Sequence, residues 1–148
     1  MLPSPHGNVF ILGAAALIIE TATAAWIWGG LALHPGTLDP ATARTVYDVE
    51  LFWGPVLTGA MMAMIGSVTV LGLGSRRSIP LWLTLTGAIA FIEQAVETIT
   101  AFGTGGFIAP GGDMNLVLGA ALTLVWLGAL AVWAVGRLGA ATRPQPAG

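Results

Sequence analysis

Apolar residues run almost unbroken through four stretches of the chain, about residues 8–33, 50–73, 80–102 and 114–135. Each is near the ~20 residues that a helix needs to cross the hydrocarbon core of a bilayer. The strings between them, "HPGTLDPATARTVYD", "GSRRS" and "GTGGFIAPGGD", are rich in glycine, proline and turn formers and read as connections. Pro55 and Pro80 fall in first helical turns, where a missing amide hydrogen costs little. The pattern predicts an all-α fold: an integral membrane four-helix up-down bundle. It forms one domain over residues 1–138, followed by a flexible tail at 139–148.

Composition strengthens the membrane reading. Only 8% of the 148 residues are charged, against roughly 25% in a soluble domain. With no cysteine in the chain, disulfides, thiolate metal sites and cysteine nucleophiles are excluded. A net charge of −2 with five basic residues gives no footprint for nucleic acid.

The basic residues set the orientation. Arg76 and Arg77 occupy the second connection, Arg137 and Arg143 flank the last span, and Arg44 alone lies on the opposite side. Positive residues favour the cytoplasm, so both termini are expected there, in a multi-pass protein of the cell membrane. Trp26, Trp28, Trp53, Trp82 and Trp133 stand at helix ends, as interfacial aromatic belts do. The small residues at 22–24 resemble a signal-peptide cleavage site. No basic residue precedes the apolar run, however, and Glu20 interrupts it, so the segment is read as a retained span.

Glu20, Glu93 and Glu97 change the picture. Glu20 falls near the middle of the first span and Glu93 near the middle of the third. Glu97 lies about 6 Å nearer the outer face at a ~1.5 Å rise per residue. First and third helices of an up-down bundle run the same way, so these acids share a depth and a common cavity is expected. Helical spacing supports it. Thr86, Ala90, Glu93, Glu97 and Thr100 line one face of the third span, and Gly13, Ala16, Glu20, Thr23 and Ala24 one face of the first. Asn115, Gly119, Leu122 and Trp126 share a face of the fourth, and Thr58, Met61, Met62 and Ser67 form a softer wall on the second.

A charge at the membrane centre costs at least ~2.5–3.5 kcal/mol, and no basic side chain lies within any span unless Arg44 folds inward. The carboxyls are therefore expected to be protonated, to share protons as a coupled pair, or to meet a cationic ligand or metal. The bland reading is a set of neutral glutamates hydrogen-bonding neighbouring helices. Asp48, Glu50 and Asp113 read first as solvated acids near helix starts, able to rim an outward opening. His6 and His34 sit outside the spans, and Met61, Met62 and Met64 read as packing. Phosphate loops, nucleophile elbows and histidine metal motifs are missing from the sequence.

The chemistry left is carboxyl acid–base work on a lipophilic molecule, an isomerisation or cyclisation of an isoprenoid-, sterol- or polyketide-like substrate. Glu93 is the expected acid, with Glu97 and Glu20 tuning it or receiving the proton. Trp126, Asn115, Gln94, Thr100, Thr23, Trp53, Glu50 and Asp113 are the expected substrate contacts, and neither metal nor cofactor is expected. Two alternatives stand beside it: a proton-coupled transporter or binder of lipophilic cations, which needs a homo-oligomer to span the membrane, and a non-catalytic membrane subunit.

Two short resemblances touch these residues. "ETIT" at 97–100 resembles a string in the emopamil-binding sterol isomerases, compact helical bundles that use carboxylates, but their histidine-containing helix has no counterpart here. A glutamate in the first of four spans is similar to small multidrug-resistance transporters, whose other spans this chain does not follow. Neither assigns the chain to a family.

Overall fold

The computed structural model describes residues 4–51, 54–74, 79–103, 105–109 and 112–141. Trp53, Arg76, Arg77 and Arg143 lie outside them, as does the tail from 142. The described residues are 88% helical, with no strand among them, and hold five α-helices: α1 (Pro5–Ala32), α2 (Pro40–Leu51), α3 (Gly54–Leu73), α4 (Leu81–Glu97) and α5 (Ala120–Ala141). Three of these are long and apolar enough to cross a membrane: Pro5–Ala32, Val56–Leu73 and Val117–Gly139. The expected set of four helices is thus corrected to five, of which three meet that standard of length and apolarity.

The extra helix lies where a loop was expected. Asp39 caps α2, its carboxylate accepting from the Thr42 amide at 3.0 Å, and Pro40 opens the first turn. A capping acid with proline next to it starts a helix whatever the hydropathy of the later residues. Glu50 therefore closes α2 rather than opening the second span, which starts at Gly54. Ser4 and Pro5 repeat this device at α1, where the Ser4 hydroxyl accepts from the Gly7 amide at 3.1 Å. At its far end α4 tightens into a 3₁₀ turn, Thr98–Phe102. A wide π turn, Met114–Gly119, precedes α5, which runs to Ala141.

Close approaches at glycines fix the register. Gly13 of α1 lies against Ala60 and Met64 of α3, whereas Glu20 shares a cavity with Leu57 and Gly54. Gly66 and Gly72 of α3 meet Phe91 and Thr84 of α4. Gly87 of α4 meets Trp126 of α5, and Glu97 meets Gly119. In each pair one number rises as the other falls, so α1, α3, α4 and α5 pack consecutively antiparallel.

The core sits among α3, α4 and α5, where Ile65, Val68, Leu83, Ala90 and Trp126 are buried together. α1 obeys an opposite rule. Its buried residues are Gly13 and Glu20, while Ile11, Leu12, Ile18 and Ile19 are exposed. A helix that turns its large apolar residues outward and its acid inward is arranged for hydrocarbon surroundings rather than water.

Candidate functional site

A partly open cavity of about 800 Å³ lies between α1, α2 and the start of α3. Glu20, Thr23 and Trp28 line it from α1, Val46, Tyr47 and Glu50 from α2, and Leu57 from α3, with Asn115 reaching in from the π turn. Its size falls in the range of small-molecule sites, ~300–1,000 Å³. Apolar and aromatic walls surround two carboxylates and one amide, and no basic residue is among the lining.

Glu20 is the deep acid. It is 7% exposed, and its Oε2 has no hydrogen-bond partner. Glu50 is held at the other end, where its carboxylate accepts from the Trp28 indole N–H. Trp28 in turn stands edge-on to Tyr47, with ring centroids 6.2 Å apart. Trp28 lies eight residues beyond Glu20 on α1, about 12 Å at a ~1.5 Å rise per residue. These two contacts of Trp28 tie the sparsely packed α2 to α1. Thr23 donates to the Ile19 carbonyl at 2.8 Å, so its hydroxyl is occupied by its own helix.

Glu93 and Glu97 are not in the cavity wall. Glu97 is 4% exposed at the end of α4 and accepts from the Gln94 amide at 2.7 Å and from the Asn115 amide. A Cβ on Gly119 would fall on the Glu97 carboxylate, so the carboxylate can settle against the π turn only because that position is glycine. The Gln94 amide also donates to Glu93 at 3.0 Å. A continuous polar chain thus runs Glu93–Gln94–Glu97–Asn115 and ends on the cavity surface at Asn115. The expected common pocket holds Glu20 itself and reaches Glu97 through one amide.

The face of α4 is also shifted from expectation. Leu83, Gly87, Ala90, Gln94 and Glu97 are buried, at alternating spacings of four and three, while Thr86 is exposed and Glu93 is at the edge. Gln94, 1% exposed, is the centre of that stripe. The wide turn at Met114–Gly119 resets the start of the last span, and such π turns often mark functional positions.

The remaining expected contacts disperse. Trp126 is 1% exposed in the α3–α4–α5 core, away from the cavity, and its indole N–H has no partner. Thr100 is buried in the 3₁₀ turn and Asp113 is exposed; neither lines the cavity. Arg44 does not fold inward. It pairs with Asp48 at 3.0 Å on the exposed side of α2, leaving Glu20, Glu93 and Glu97 without a basic partner among the described residues. Sequence reasoning placed Trp28 only in an interfacial belt and missed Tyr47. The helix-start signal at Asp39–Pro40 is what would have brought both to the site.

No protein family, no curated protein and no solved structure shows a significant match to this chain.

Proposed function

We propose that this chain is a multi-pass protein of the cell membrane that performs acid–base chemistry, an isomerisation or cyclisation, on a lipophilic molecule held in the α1–α2 cavity. The register supports a reading with four crossings. α3 and α5 both run antiparallel to α4, which on this reading carries the chain back through the same thickness between them. α4 has 17 residues, roughly 25 Å, and its 3₁₀ extension adds about 2 Å per residue, which together cover a ~30 Å hydrocarbon core. Both termini then fall on one side, the cytoplasmic side by the arginine distribution. The lack of cysteine makes this testable. Single cysteines replacing Ser4 and Thr37 should label from opposite faces of sealed vesicles, and labelling of both from one face refutes the topology.

The observation supporting the chemistry is Glu20: a buried carboxyl with a free oxygen in the wall of a largely apolar cavity. A carboxyl that is not ion-paired can hold a proton at neutral pH and deliver it in a dry site. In an alkene isomerisation, Glu20 gives its proton to one alkene carbon. Its conjugate base then removes a proton from the allylic carbon, the double bond moves, and the carboxyl is regenerated. Glu97 acts behind it through Asn115, and Glu93 through Gln94, as positioning groups rather than as groups that touch substrate. On this reading the acid is Glu20, which lines the cavity, and not Glu93, which does not.

Deuterium incorporation tests this with no substrate chosen in advance. Lipophiles that co-purify with the protein are incubated with it in deuterated buffer and analysed by mass spectrometry. Carbon-bound deuterium should appear with the native chain and be lost in Glu20→Gln. Absence of incorporation with the native chain overturns the acid–base reading.

A further inference from the structure

The cavity is asymmetric in charge as well as in depth. Glu20 supplies one carboxylate and Glu50 the other, the latter held by Trp28, eight residues or about 12 Å further along α1, and no basic residue lines the cavity beside either. Arg44, next in sequence to the lining residue Thr45, is committed to Asp48 and to Tyr47, with 5.7 Å between its guanidinium and that ring. The Glu50 carboxylate accepts the Trp28 indole hydrogen, whereas the Glu20 Oε2 accepts nothing. A buried acceptor without a partner on a residue that lines the cavity, with a more exposed aromatic pair beyond it, is complementary to a donor that carries positive charge.

We infer that the natural occupant is a lipophilic organic cation, a protonated amine, whose charged end docks on the Glu20 carboxylate while its apolar body lies along Ile27, Val46 and Leu57. An inorganic cation is a poor alternative. No group of three acidic or histidine side chains gathers anywhere among the described residues, and the walls are hydrocarbon and aromatic. Trp28 and Tyr47 form the threshold: a cation passes their ring faces before reaching Glu20, with Glu50 as the first carboxylate met. The assignment rests on the cavity being the substrate site, as proposed above, and narrows the substrate class to amines that carry an N–H: the ammonium returns that proton to Glu20, and the carboxyl then delivers it to the alkene carbon.

Matched probes separate the two ideas. An alkyltrimethylammonium ion, its uncharged tert-butyl isostere and an alkyl sulfate of equal chain length are each equilibrated with the full chain in phosphatidylcholine nanodiscs, with protein-free nanodiscs subtracted. The ammonium probe should bind about ten-fold or more tighter than the isostere, and the sulfate weakest. Glu20→Gln should erase the preference for charge while leaving the isostere bound; Glu50→Gln should weaken it less. Equal binding of ammonium and isostere by the native chain overturns the cation assignment but keeps a lipophile site. Binding of none of the three above protein-free nanodiscs removes the cavity as a ligand site, and with it the proposed function.

Discussion

Trp126 and Trp28 are the same residue in opposite circumstances. Trp126 is 1% exposed, wedged among Ile65, Leu83 and Ala90, with its ring nitrogen 2.8 Å from where a Gly87 side chain would begin. Trp28 is 37% exposed and spends its indole hydrogen on a glutamate at the mouth of a cavity. The α3–α4–α5 side is close-packed even at the expense of polar satisfaction, since Thr69, Thr123 and Trp126 each keep a buried polar atom without a partner. On the α1–α2 side the walls stand apart and the acids face the space between them. Rigidity and an accessible site are divided between two halves of one small chain. A dense frame is what lets a sparsely attached helix such as α2 move without loss of the fold.

The comparison breaks first at the tryptophans. Trp126→Ala should lower stability by about 3–5 kcal/mol through lost contacts and a residual cavity. Trp28→Phe should cost less than about 1 kcal/mol, because only a partly exposed hydrogen bond is lost. Unfolding in denaturing detergent, followed by circular dichroism, reads both. Similar losses would dissolve the distinction between frame and site. The Trp28 variant should instead quicken amide exchange across α2 while leaving α4 unchanged.

Glycines sharpen the same contrast at smaller scale. A Cβ at Gly87 would lie 2.5 Å from the Thr69 hydroxyl and 2.8 Å from the Trp126 ring nitrogen. Gly87→Ala should therefore destabilise by about 1–3 kcal/mol, since the indole has no room to yield. Gly59, on the outer surface of α3, has nothing within 4 Å of its Cβ position. Gly59→Ala should be neutral or stabilise by up to about 1 kcal/mol, as alanine is the better helix former. The same unfolding assay separates the two, and equal effects would mean that α4 and α5 are not in the close contact described.

The acids were legible because carboxylates in an apolar run are costly and conspicuous. The inward face of Gly13 and Glu20 followed from counting along a helix. So did the shared face of Asn115, Gly119 and Trp126. α2 was hidden because hydropathy sees only what prefers hydrocarbon, and a polar helix started by Asp39 and Pro40 carries no such signal. The centring of α4 on Gln94 instead of Glu93 was also hidden. A difference of one residue rotates a helix by about 100°, and both choices satisfy the same spacing within the scatter of real helices.

Sequence alone settled that this chain is helical, that its long segments suit hydrocarbon, and that its acids have no basic partners within them. These are properties of composition and period, which no neighbour can alter. Tertiary packing decided which acid faces open space and which is tied down. Glu20 lines a cavity because α2 stands off from α1, while Glu97 is captured by Gln94 and by Asn115 on a widened turn. Contacts between segments far apart in the chain depend on register and on the room left by single glycines. That information lies in no single stretch of residues.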